Sequence, residues 1–384
     1  MRRRPTFPLY TGGFLGPFGG AMLYALIPSI ADGLDTTVGL VAAAITAYMV
    51  PFAALQLVSG TIAERVGGGR VVRAGYVAFG VAALLCAFAP EIWTFIAARA
   101  LMGTANAFLS PILLAALSEA APPAALGRAV GTFAAVQTAG LTMAPVLGGA
   151  LGELSWRLAF VLVAAVSFVL AIPRLELHGS AARTGERATM RTLLNRWIGL
   201  IATTALAGYL GFTGIGFVVA LVASSEFGLG SGMSGLAVAA YGAGGILLGR
   251  LGGVAADRAG RPLTALLGSL ACAGGVLGLV FAPTAWSLAL AFFAVGCASA
   301  FVWAGLNTIA VESFPENRAG AVSAYGAFKF AGVAIAPIVY MPLFQRDTRA
   351  PFFLATGFAL LFALLVLPWF GRYRAAPTRD PGSS

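Results

Sequence analysis

Two cations stand inside apolar stretches where a charge is costly: Arg99 in "FIAARALMGTANA" and Lys329 in "AFKFAGVAIAP". A cation at membrane depth costs at least ~2.5–3.5 kcal/mol on insertion scales, so each is a functional candidate by default. Gly103, Asn106 and Ser110 follow Arg99 at helical spacing and share one face with it. Phe292, Gly296, Ser299, Trp303 and Asn307 form a matching face later in the chain. Phe14, Phe18, Tyr24, Tyr209, Phe212 and Phe217 add aromatic rings with few hydrogen-bonding groups. Such a set suits hydrophobic or amphiphilic compounds better than sugars. Ordinary ring packing, backbone carbonyls as partners for Arg99, and snorkelling of Lys329 are the plainer alternatives.

Acids are missing from the same stretches. Asp32, Asp35, Glu119, Glu226 and Glu312 stand only at the ends of apolar runs, which argues against a buried carboxylate as proton carrier. Lys329 is the only lysine. An amine in an apolar span can exchange its proton where a guanidinium cannot, so Lys329 is the candidate coupling group. The cysteines (Cys86, Cys272, Cys297) lack a CxxC partner, and the one histidine, His178, lies in a polar stretch. No nucleophile elbow, P-loop or metal-ligand spacing is present. An enzyme is not indicated, and neither a cofactor nor a metal is implied.

The elements that hold these residues must lie in lipid. The 384 residues are 59% hydrophobic and 10% charged, with mean hydropathy +0.90, against about 25% charged for soluble domains. A membrane span needs about 20 apolar residues. Twelve such runs follow one another: 8–31, 38–60, 71–90, 92–119, 127–150, 157–173, 197–222, 233–256, 263–282, 286–310, 320–343 and 351–370. The first is too long for a signal peptide. The expected fold is an all-α polytopic membrane protein, with a six-helix bundle over 1–173, a linker over 174–196, a second bundle over 197–370 and a disordered tail over 371–384. Of the 24 cations, 19 fall in the termini and the loops on their side, and 3 on the other side. The positive-inside rule then puts both termini in the cytoplasm. The net charge of +10 is thus a mark of topology, and a nucleic-acid partner is not expected.

The chain repeats itself. Gly60, Glu64, Arg65 and Gly67 in "TIAERVGGG" and its approach match Gly253, Asp257, Arg258 and Gly260 at an offset of 193 residues. Tyr48 and Tyr241, and Gly103 and Gly296, share that offset; "AGLTMAP" and "AGVAIAP" match one residue sooner. The two six-helix sets are therefore diverged copies, the construction of a common transporter fold with its site between the halves.

These residues resemble the major facilitator superfamily over nearly the whole chain. The stretch from Gly253 through Asp257, Arg258, Gly260 and Arg261 is similar to the family's loop between its second and third spans. The first copy carries Glu64 in place of the acid and Gly68 and Gly69 where basic residues are usual. Arg99, Gly103 and Ala107 resemble the fourth-span pattern. Gly140, Ala144, Pro145, Gly148 and Gly149 resemble the fifth-span pattern of exporters, and "SWRLAF" follows it. The resemblance implies a monomeric secondary transporter of a prokaryotic plasma membrane that works by alternating access on a small-molecule substrate. It implies efflux of drugs or metabolites, with protons as the candidate coupling ion. It also implies that the repeated acids clamp the cytoplasmic face shut, and that the substrate path runs past Arg99, Asn106, Ser110, Tyr24, Tyr209, Phe212, Phe292, Ser299, Trp303, Asn307 and Lys329. A carrier of small organic anions held by Arg99 and Lys329, and a non-transporting receptor or scaffold, are the rival readings.

Overall fold

The computed structural model describes residues 7–120, 125–173, 195–312 and 318–375. Most of the expected linker, the end of the tail and the side chain of Glu64 lie outside them. The described residues form helices and no strand: α1 (Phe7–Ala21), α2 (Leu23–Gly33), α3 (Val38–Val66), α4 (Gly68–Ala87), α5 (Ile92–Ala107), α6 (Ser110–Ala120), α7 (Leu126–Gly152), α8 (Trp156–Ala171), α9 (Arg196–Gly208), α10 (Gly216–Ser225), α11 (Ser231–Ala259), α12 (Arg261–Val280), α13 (Ala285–Glu312), α14 (Arg318–Phe344) and α15 (Ala350–Ala375).

Three expected spans are broken. The run 8–31 divides into α1 and α2, bent by 47°; Pro17 and the Gly19–Gly20 pair precede the bend, and both are usual causes of kinks. The run 92–119 divides at Phe108–Leu109, just before Pro111, whose missing N–H and ring oppose a continuous helix. Between α9 and α10 the helix widens into a π turn at Tyr209–Thr213. Among the described residues, ten spans are long and apolar enough to cross a membrane, or eleven with the bent α1–α2 pair. Helix α8 is apolar but has only 16 residues, about 24 Å at 1.5 Å per residue. That is short of a ~30 Å hydrocarbon core, so it falls outside the spans of full length. The last helix continues to Ala375, so residues 371–375 are helical instead of part of a disordered tail.

The repeat persists in the backbone. Val38 and Ser231, Gly68 and Arg261, and Ile92 and Ala285 open helices 193 residues apart; Leu126 and Arg318 open helices 192 apart. Close approaches repeat as well. A Cβ on Gly103 would strike the carbonyl of Tyr48, and one on Gly296 the carbonyl of Tyr241. In the first half α3 packs on α5, α4 on α8, and α1 on α7; in the second, α11 and α12 pack on α13, α12 on α15, and α9 on α14. Large apolar side chains such as Leu247, Trp93 and Trp286 remain exposed, as expected of a surface that faces lipid.

The repeated hairpin proves to be a pause of one residue between long helices. Glu64, Arg65, Asp257 and Arg258 lie in the last turns of α3 and α11, and Gly67 and Gly260 make the turns. Their φ values are +100° and +92°, a region open to glycine and strained for other residues by about 1–3 kcal/mol. Gly60 and Gly253 have ample space for a Cβ. Gly260→Ala is therefore expected to lower stability by about 1–3 kcal/mol, and Gly253→Ala to leave it within about 1 kcal/mol of the parent. Thermal denaturation in detergent checks the contrast.

Candidate functional site between the halves

The halves meet chiefly through α7 against α11 and α3 against α14, with α2 touching α10 and α11. Gly149 abuts the Ser231 carbonyl and Gly235 the Pro145 carbonyl, while Thr142 reaches Gly242. Thr46 Oγ1 donates to Ala334 O at 2.6 Å. Phe52 meets Phe330 edge-on at 4.9 Å between ring centroids, and Tyr24 lies 6.5 Å from Phe217. Those of these contacts that involve α3 and α11 use the parts of the two helices remote from the termini, or their middles. The ends near Gly67 and Gly260 take no part in them.

Small residues permit this seam. On α7, Gly140 abuts the Phe14 carbonyl and Gly148 abuts Met22, while Ala144 is buried. The exporter-like pattern therefore serves two faces: it seats α1 and α2, and through Pro145 and Gly149 it brings α11 close. Its second copy uses Gly332 against Tyr209 and Ala336 near Gly214, within the second half.

Arg99 does not face the seam. Its guanidinium is fully buried and donates to Gly19 O at 2.8 Å and Gly20 O at 3.3 Å. It also stacks over Tyr48, 4.5 Å from the ring centre, and the Tyr48 hydroxyl donates to Gly16 O at 3.1 Å. Arg99 therefore ties α5 to the carbonyls just before the α1–α2 bend, where the negative end of α1's dipole favours a cation. In the second copy Phe292 takes its place and stacks on Tyr241 at 5.1 Å. Asn106 and Ser110 turn to each other and to α1 near Gly16. Ser299 is buried and donates to its own helix at Gly296 O. Phe212 is buried against Trp303 and Phe362. These side chains serve packing in this conformation.

A different group gathers around Lys329. Its ammonium lies 5.4 Å from the Tyr209 ring centre and 5.7 Å from that of Phe330. Tyr209 lies 4.9 Å from Trp303. One turn before Lys329, Tyr325 donates to Asn307 Oδ1 at 2.5 Å, and Asn307 is exposed. Among the described residues no carboxylate is within ion-pair distance of Lys329. The cation thus sits among aromatic faces, which attract it, next to the Phe52–Phe330 contact that joins the halves. Tyr325 and Phe52 escaped sequence reasoning; Tyr325 could have been found as the polar neighbour of Lys329 four residues away on the same helix face.

Among the described side chains, the expected clamp residues form no ion pair across the halves. Asp257 pairs with Arg261 of its own half at 3.3 Å and its side chain is 74% exposed. Arg261 also pairs with Glu312 at 3.0 Å. Arg65 and Arg258 are exposed. A further ion pair, Arg349 with Glu226, ties the α14–α15 turn to the end of α10, and Arg349 also donates to Leu279 O at 2.6 Å. No grouping of metal-ligating residues occurs among the described residues.

Known proteins can now be set beside this geometry. The chain is 32% identical over 200 residues to the uncharacterized MFS-type transporter EfpA of Mycobacterium tuberculosis, a match covering 51% of this chain and 36% of that protein. It is 33% identical over 132 residues to the multidrug efflux pump LfrA of Mycolicibacterium smegmatis, covering 33% of this chain and 26% of that one. The chain thus spans well under half the length of these two relatives. Its fold superposes on the crystal structure of the nucleoside transporter NupG with a TM-score of 0.77 at 15% identity, covering 95% of this chain and 99% of that one. The family profile described as Major Facilitator Superfamily matches residues 9–197 and 201–384. With the profile spanning nearly its whole length on a matching fold, the chain belongs to the Major Facilitator Superfamily.

Proposed function

We propose that this protein is a transporter that works by alternating access and exports small amphiphilic compounds. The observation that carries the proposal is the aromatic group around Lys329, Tyr209, Trp303 and Phe330, placed where the halves meet. Rings offer contact area to varied apolar bodies, and a few polar atoms orient them. Partial matches to an efflux pump support the export direction. The distribution of arginines supports a cytoplasmic placement of both termini. The conformation then is open toward the cytoplasm and closed on the opposite face. Arg65 near Gly67, and Asp257 and Arg258 near Gly260, would meet the other half only when the cytoplasmic face shuts. Gly60 and Gly253, which have room in this conformation, are the positions where close approach would then occur.

A second reading gains support from one detail. Lys329 has no described carboxylate partner, so a substrate with an acidic group would supply its counter-charge. Arg99 is already committed to Gly19 and Gly20 and leaves this role to Lys329 alone. Purified protein in liposomes, supplied separately with ethidium, a lipophilic cation, and anilinonaphthalene sulfonate, a lipophilic anion, decides between the readings. Transport of both supports broad amphiphile export, and transport of the anion alone supports the second reading. Transport of neither, by protein that is folded, contradicts both.

A further inference from the structure

Helix α11 begins without a cap of its own, because its N-cap residue is Gly230. Helix starts leave four N–H groups unpaired within the helix, and a side-chain acceptor is the usual remedy. Here the acceptor comes from the other half of the chain. Glu153 Oε1 accepts from Gly232 N–H at 2.7 Å. Ser231 Oγ lies 3.5 Å from the same oxygen and donates to Gly149 O at 2.9 Å. Glu153 is the C-cap residue of α7, the negative end of its own helix dipole, where a carboxylate is disfavoured. At the positive start of α11 it is favoured. Its charge is therefore stabilised across the seam and not within its own half.

The internal repeat supplies a control. The counterpart of Glu153, 192 residues later, is Gln345, and the counterpart of Gly232 is Gly39, 193 residues earlier. A Cβ on Gly39 would lie 3.2 Å from Gln345 Nε2, so the two seams are built alike. Yet α3 is capped by its own Thr37, whose Oγ1 accepts from Leu40 N–H at 3.3 Å. The carboxylate occurs at the seam whose helix lacks a cap, and a neutral amide occurs at the seam whose helix has one. Glu153 lies at the edge of this seam and is exposed, so solvent can take over its bond once the helices part.

We propose that Glu153 is the latch of the face opposite the termini: a positioning residue of the transport cycle, bonded to the start of α11 in this state and released each time that face opens. The proposal rests on the reading that the two halves rock against each other. Backbone contacts at Gly149–Ser231 and Pro145–Gly235 make the seam so close that a small separation of α7 and α11 would break the bond.

The test uses the full-length protein in cells and a membrane-impermeant maleimide, with the native cysteines measured in parallel as background. Val238→Cys is the reporter: Val238 is 8% exposed and lies with Tyr24 beside Gly216, where α2, α10 and α11 meet. Leu154→Cys, at a position 80% exposed on the same face, is the access control and must label equally in every background. Asn307→Cys, labelled from the termini side in inverted vesicles, reports the other opening. Glu153→Ala is expected to raise labelling at Val238→Cys roughly three- to tenfold, the equilibrium shift that a charged helix-start bond can hold. Labelling at Asn307→Cys should fall in the same variant. Glu153→Gln should give a smaller rise, because its amide oxygen can still accept from Gly232. Unchanged labelling at Val238→Cys overturns the latch. A rise at both reporters means general loosening and overturns it too. No labelling of Val238→Cys in any background overturns the latch and the rocking reading together, whereas ordinary labelling with no effect of Glu153 leaves rocking intact.

Discussion

Arg99→Ala is expected to abolish most transport while leaving membrane insertion intact. Insertion is no obstacle, because removing a charge from an apolar span makes it easier. The damage falls on the α1–α2 bend. Arg99 holds the carbonyls of Gly19 and Gly20 from α5 and lies over Tyr48, which holds Gly16. Each charge-assisted bond contributes about 1.5–3 kcal/mol, and the variant also leaves a space where the side chain was. A loss of about 3–5 kcal/mol of stability follows, from two bonds to a charged group and the space left behind. Arg99→Lys should recover little, since one ammonium cannot bond two carbonyls in a plane and stack on a ring. Thermal denaturation and dye transport on the same preparations check this. A variant with parental stability and lost transport would return Arg99 to the substrate path.

The second large effect is expected at Lys329. If an acidic substrate supplies its counter-charge, Lys329→Gln should weaken handling of anilinonaphthalene sulfonate more than tenfold, which corresponds to about 1.4 kcal/mol. Handling of ethidium should be unaffected or improved. Lys329→Arg keeps the charge and should keep anion binding. A guanidinium does not give up its proton in the working range of pH. Under an imposed proton gradient, Lys329→Arg should therefore lose accumulation if Lys329 is the coupling group. Accumulation at the parental level by Lys329→Arg would leave Lys329 as an anion ligand and place coupling elsewhere.

What was legible in the sequence followed from regularities that survive without side-chain packing. Apolar runs of span length, an arginine excess on one side and an offset of 193 residues pointed to an all-α membrane protein built from two copies. The breaks were less legible, although Pro17, Gly19–Gly20 and Pro111 mark two of them; the π turn at Tyr209 has no proline, only the spaced Gly208, Gly211 and Gly214. The charges illustrate the limit best. Arg99 and Lys329 look alike as cations in apolar runs, yet one is bound to backbone carbonyls inside its own half and the other stands among rings at the seam. Periodicity gives the face of a helix, and only the neighbouring helix decides what that face meets. Glu153 was illegible for the same reason: it ends its own helix, and its partner is the start of another one 79 residues later.

The central claim is that the halves rock between a conformation closed opposite the termini and one closed beside them. Spin labels at Arg65→Cys and Arg258→Cys, both exposed at the termini-side ends of α3 and α11, measure that motion directly by pulsed electron resonance. Two distance populations are predicted, the longer matching the conformation described above, with added anilinonaphthalene sulfonate or Glu153→Ala changing their proportions. A single distance, unmoved by either, would contradict the account.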